Sequence, residues 1–218
     1  MRDKNILEYL IQNEIEFLPI FDRFNNNYNK IPDEIDFKLF YEEDKIDSII
    51  AYTDYGAFYP LIKKKYLNET ADFINNYNGF LFSIYGESDI IKLILQFMDY
   101  KHKNLIEYYF MVLMKEDFVE TTLNFEKNIS CRKCSKSDFR NLSKLQYRYH
   151  KEEVYINDTH YPFEAEMEAF KILLNNRLNY AVFLNNHKAL SKVNVNGESP
   201  NFYQVGGMFT LKGFRNNG

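Results

Sequence analysis

Apolar residues near the start of the chain recur at helical spacing. Ile6, Leu7, Leu10, Ile11, Ile15, Phe17 and Leu18 form a stripe that Pro19 interrupts. The period then shortens. Residues 37–41 and 46–52 predict strands joined by an acidic turn at 42–45, and 56–60 continues the ribbon as a meander. Residues 81–85 lead through Gly86 and the capping residue Ser88 into a helix over 89–99, with Ile91, Ile94, Leu95 and Met98 on one face. The apolar run 106–114 predicts a buried strand.

Near Thr121 the pattern restarts. A short strand at 129–132 precedes Ser135 and Asp138, which have the spacing of a capping pair, and Phe139, Leu142, Leu145, Gln146 and Tyr149 continue at helical spacing. After a break at 160–163, Met167, Phe170, Leu173, Leu174 and Leu178 predict the inward stripe of a second helix, ending near Asn175, Asn176 and Arg177. Strands follow at 180–184, 189–195 and 202–210, with turns at 185–188 and 196–198. Alternation predicts that Val182, Leu184, Val193, Val195 and Val205 help form the core. The chain thus divides into residues 1–124 and 125–218. The fold class predicted is α/β, with a mixed, mostly antiparallel sheet flanked by helices.

Composition narrows the function classes. With 218 residues, 45% of them hydrophobic, the chain can bury a core in one large or two small domains. The run 90–98 contains Lys92 and Gln96 and is too short for a bilayer span. Residues 1–17 mix charges through an amphipathic pattern, unlike a secretory signal, so the expectation is a cytoplasmic protein with no membrane partner. A formal net charge of -4 opposes a polyanion and argues against nucleic acid as a partner. The 18 tyrosines and 20 phenylalanines, beside no tryptophan, read as compositional bias rather than a base-stacking surface.

Short motifs add little chemistry. Cys131 and Cys134 sit in CRKC, but His102, His150, His160 and His187 are scattered without paired ligand spacing, so no metal is expected. Gly86 is read as a tight-turn glycine before a capped helix rather than a phosphate cradle. Glu164, Glu166 and Glu168 are read as the solvated face of their helix.

The order strand, two helices, three strands ends in GGMFTLKGFRNNG, residues 206–218. Here the second unit resembles the GNAT family of acyl-CoA N-acyltransferases. The amino-terminal half of that fold has this order, and its fourth strand leads into an Arg-x-x-Gly-x-Gly or Ala turn. Lys212 stands where the family often has proline, and the sequence ends before the last small residue of the motif. The resemblance implies acetyl-CoA as cosubstrate. Arg215, Asn216, Asn217 and Gly218 would surround the pyrophosphate, Met208, Phe209 and Thr210 would pair with the pantetheine arm, and Gly206 and Gly207 would form a bulge that re-aims the strand.

The implied reaction is transfer of an acetyl group to an amine of a small molecule or peptide. The motif names no general base. Glu198 sits in a turn, and Gln204, which is not a base, can orient substrate or water. The resemblance further implies a catalytic domain truncated at Gly218, inactive as it stands, with a strand edge bearing Tyr203, Val205 and Phe209 that favours a homodimer. The first unit is then a divergent amino-terminal domain. The alternative reading is a non-catalytic binding or regulatory module that keeps only the front half of the fold.

Overall fold

Glu43 (φ 48°) and Asp44 (φ 64°) adopt left-handed backbone and close the hairpin between β1 (Ile35–Glu42) and β2 (Lys45–Thr53). The two strands pair antiparallel, as do β2 and β3 (Ala57–Leu61), so the meander expected from the sequence is present. A helix, α3 (Leu67–Asn75), then carries the chain to β4 (Ser83–Ile84), which pairs parallel with β3. The sheet order is β1-β2-β3-β4. The computed structural model describes residues 2–24, 27–99, 101, 104–119, 128–154 and 163–216 of the chain.

Strand β2 is buried on both faces, which is why its sequence runs Ile49, Ile50, Ala51 without alternation. Ile49 and Ala51 pack with Ile6 and Leu10 of α1 (Arg2–Gln12) and with Ile20 and Phe21 of the short α2 (Leu18–Phe21). Ile50 packs on the opposite side with Ala71 and Ile74 of α3 and with Ile90, Ile91 and Ile94 of α4 (Ser88–Gln96). Period-two geometry thus sends neighbouring residues into two separate cores. Helix α4 covers the face expected, although Glu87 rather than Ser88 is its N-cap residue.

The apolar run after α4 departs from expectation. Residues 104–114 form neither helix nor strand, and their large side chains are exposed, Tyr109 fully. A run of this kind becomes a buried strand only where a sheet edge receives it.

The chain forms two units, Met1–Phe118 with Ser199–Phe202, and Val119–Glu198 with Tyr203–Gly218. The residue called as the division, 124, lies outside the described residues. In the second unit β5 (Ile129–Lys133) precedes α5 (Phe139–Tyr149), a π-helical turn His150–Val154, α6 (Phe163–Asn176), β6 (Asn179–Leu184), β7 (Lys188–Glu198) and β8 (Tyr203–Thr210). The sheet is wholly antiparallel in the order β5-β6-β7-β8. Ser135 and Asp138 make the expected capping box at the helical start before α5. Asn185 (φ 51°) and Asn186 (φ 60°) close the β6–β7 turn. Both units are therefore α/β with mostly antiparallel four-stranded sheets.

The core of the second unit corrects the valine assignment. Leu142, Leu145, Phe170 and Leu174 from the helices pack on Ala181, Phe183, Ala189 and Phe209. Val182, Leu184, Val193 and Val195 are only partly buried, and Val205 is 59% exposed. In β6 the alternation runs the other way, with Ala181 and Phe183 inward, and for Val193, Val195 and Val205 two bulges are responsible. Val182 pairs with Ser191 but Phe183 with Ala189, which leaves Leu190 extra; Lys192 pairs with Phe209 but Asn194 with Gly206, which leaves an extra residue in β8. Each extra residue reverses which side chains face the helices.

Candidate functional site

At the Thr210 end of β8 an open cleft of about 500 Å³ is lined by Met208, Phe209, Thr210, Arg215 and Asn216, together with Ile129, Glu153, Val182, Leu190, Ser191 and Phe214. Five of the residues singled out in the sequence as cofactor-binding thus share one concavity. Asn217 and Gly218 lie outside the described residues.

The five differ in what they offer a ligand. Strand β8 pairs with β7 alone, so among the described residues its other edge is unpaired, while the cleft lining reaches across the sheet to Val182 of β6 and Ile129 of β5. Met208 is exposed, whereas the Phe209 ring is buried in the core and leaves only its backbone to the cleft. Thr210 Oγ1 and Ser191 Oγ share a hydrogen bond of 2.9 Å. Arg215 is engaged within the protein: Nε donates to the Thr210 carbonyl at 2.8 Å, and a terminal nitrogen donates to Glu152 at 2.8 Å. Its guanidinium also lies 5.3 Å from the centre of the Phe209 ring.

Glu198 and Gln204 lie elsewhere. They pair with Tyr203 and Gly197 at the far end of the β7–β8 hairpin, about 20 Å along the strand from Thr210 at ordinary strand rise. Neither lines the cleft. The carboxylate that does so is Glu153, from the π-helical turn.

The bulge in β8 holds Gly207 and Met208 rather than the expected Gly206 and Gly207, since Gly206 pairs with Asn194, and a polar bed supports it. A Cβ on Gly207 (φ 57°) would lie 2.0 Å from Asn194 Oδ1, and one on Gly206 would lie 2.1 Å from Asn196 Nδ2. Lys192, only 5% exposed, extends beneath, donating to the Gly207 carbonyl at 2.7 Å and to Asn194 Oδ1 at 3.3 Å. Its ammonium also lies 4.4 Å from the centre of the Tyr149 ring. Desolvation pushes Lys192 down to about 8. Sequence reading passed over this residue because a lysine between Ser191 and Val193 looks like the solvent side of a strand.

A second polar group corrects the reading of α6. Glu166 is 5% exposed rather than solvated, and its Oε1 accepts from His150 Nδ1 at 2.9 Å. With that proton on Nδ1, His150 Nε2 accepts from Gln146 Nε2 at 2.8 Å. Glu164 and Glu168 are exposed as expected.

CRKC is split by burial. Cys131 is exposed and Cys134 buried. Burial, with the Asp138 charge nearby, pushes the Cys134 thiol up to about 11. Arg132 forms a two-pronged pair with Asp138, at 2.9 and 2.6 Å, and holds that carboxyl below its ordinary range. Among the described residues no group of three or more His, Cys, Asp or Glu side chains is arranged to hold a metal, and no helix is long and apolar enough to cross a membrane.

No family profile matches this chain, and no curated protein matches it.

Proposed function

We propose that the second unit supplies the acetyl-CoA-binding cleft of a GNAT-like N-acetyltransferase, which transfers the acetyl group to an amine. The observation that carries this reading is the convergence of Met208, Phe209, Thr210, Arg215 and Asn216 on one cleft of a sheet whose strand β8 has, among the described residues, an unpaired edge. The order β5, α5, α6, β6, β7, β8 and the β8 bulge at Gly207 support it. An unpaired strand supplies backbone donors and acceptors for the amides of a pantetheine arm, and a cleft of about 500 Å³ suits such an arm. Arg215 already donates to Glu152, so that carboxylate competes with a phosphate for the guanidinium.

In the transfer, the amine nitrogen attacks the thioester carbonyl, forming the C–N bond as the C–S bond breaks. The amine gives up a proton and the departing thiolate gains one. Glu153, in the cleft, is the group able to accept the amine's proton; Glu198 and Gln204 are too remote for that role.

The non-catalytic alternative has one observation in its favour, the Arg215–Glu152 pair, which satisfies the guanidinium without any ligand. Calorimetry with acetyl-CoA tests the first reading. Saturable binding is expected, weakened by Arg215→Ala by about 1–3 kcal/mol and strengthened by Glu152→Gln, which frees the guanidinium. No binding by any of the three proteins overturns it. Thiol release across a panel of amines, reduced in Glu153→Gln, separates an enzyme from a module that only binds.

A further inference from the structure

Residues 108–114, Tyr-Tyr-Phe-Met-Val-Leu-Met, are seven consecutive large apolar side chains, all exposed, with Met111 89% exposed. Among the described residues, no backbone group of 104–113 enters a backbone hydrogen bond. Positions 108–114 carry no charge, and none of the devices that guard a lone strand, such as an interrupting lysine or proline, occurs within them. Glu107 stands at one end and Lys115 at the other.

That arrangement is self-complementary. In an antiparallel pair centred on Met111, residue 107 of one chain lies opposite residue 115 of the other. Glu107 therefore meets the partner's Lys115, twice over by symmetry. Tyr108 falls opposite the partner's Met114, Tyr109 opposite the partner's Leu113, and Phe110 opposite the partner's Val112, so each aromatic ring meets an aliphatic chain. Shifting the register by one residue on either chain breaks both charge pairs. Glu107 is already placed on the first unit by Ser88 and by Lys92 at 2.7 Å, which ties this end of the segment to α4.

We propose that residues 107–115 are a homodimerisation strand, pairing antiparallel with the same segment of a second copy about a two-fold axis through Met111. Three aromatic side chains alone carry on the order of 500 Å². The pairing also gives the backbone groups of alternate residues in each copy their partners.

Cysteine cross-linking in a Cys131→Ser background tests both the interface and its register. Met111→Cys is expected to form an intermolecular disulfide with itself under mild oxidation. Phe110→Cys and Val112→Cys should each fail alone and cross-link when mixed. Light scattering should show a dimer, and Met111→Lys should weaken it by at least about tenfold while circular dichroism stays unchanged. A monomer at ~100 μM, well above a micromolar dissociation constant, overturns the proposal. So does a dimer that survives Met111→Lys but is lost in Val205→Lys, which would place the contact on β8. A monomer that binds phosphatidylcholine vesicles through this segment overturns it too.

Discussion

The Nζ of Lys192 donates to the carbonyl oxygen of Gly207 over 2.7 Å, which ties the inward face of β7 to the bulge of β8. The same two-residue link sets the direction in which Met208 and Thr210 leave the bulge toward the cleft.

Lys192 gives the second unit a signature in pH. Burial lowers its ammonium from an ordinary 10.5 to about 8. Below pH 8 the folded and unfolded chains both hold the proton. Between 8 and 10.5 the folded chain releases it first, so stability rises with pH over that window. Relative to Lys192→Met, the wild type is expected to gain about 1 kcal/mol between pH 7 and 9, measured by urea midpoints. Cys134, pushed up to about 11, acts in the opposite direction above its unfolded value but is common to both proteins. A flat difference across this range counts against the buried ammonium.

Gly207→Ala should destabilise the second unit by about 1–3 kcal/mol, because φ is 57° and the new Cβ meets Asn194 Oδ1 at 2.0 Å. Gly213→Ala is the control: nothing lies within 4 Å of its Cβ, and a change within about 0.5 kcal/mol is expected. Equal effects in a denaturant titration would remove the special role of the bulge.

The thiols should separate in a labelling experiment. At pH 8 a thiol titrating near 11 is about one part in a thousand thiolate, and Cys134 is also buried, whereas Cys131 is exposed. Brief treatment of the folded protein with iodoacetamide is expected to give one adduct, on Cys131, and treatment in guanidinium two. Native labelling of Cys134 would show that its cover opens readily.

His150→Phe removes the donor to a buried carboxylate and should cost about 2–4 kcal/mol. The double variant His150→Phe/Glu166→Gln should be the more stable of the two, since it leaves no buried charge without its partner. Thermal unfolding of the single and double variants measures the coupling. Additive losses would mean that the pair is only incidental.

Much of the local structure was legible in the sequence. Amphipathic spacing fixed α4 and α5, the Ser135–Asp138 spacing marked the start of the helical segment before α5, and paired turn residues marked the hairpins. Met208, Phe209, Thr210, Arg215 and Asn216 were singled out through the GNAT resemblance, and they line one cleft. Three outcomes depended on tertiary structure. Facing direction in β7 and β8 was decided by bulges, since one extra residue reverses inside and outside; Lys192 is buried while Val205 is exposed. The run 106–114, apolar enough for a core strand, found no sheet edge among the described residues, and burial needs a neighbour as well as an apolar sequence. Glu166 reads as one of three surface carboxylates until the chain folds back to bring His150, sixteen residues earlier, within 2.9 Å of it. Periodicity is a property of a segment, whereas burial is settled by what the rest of the chain brings against it.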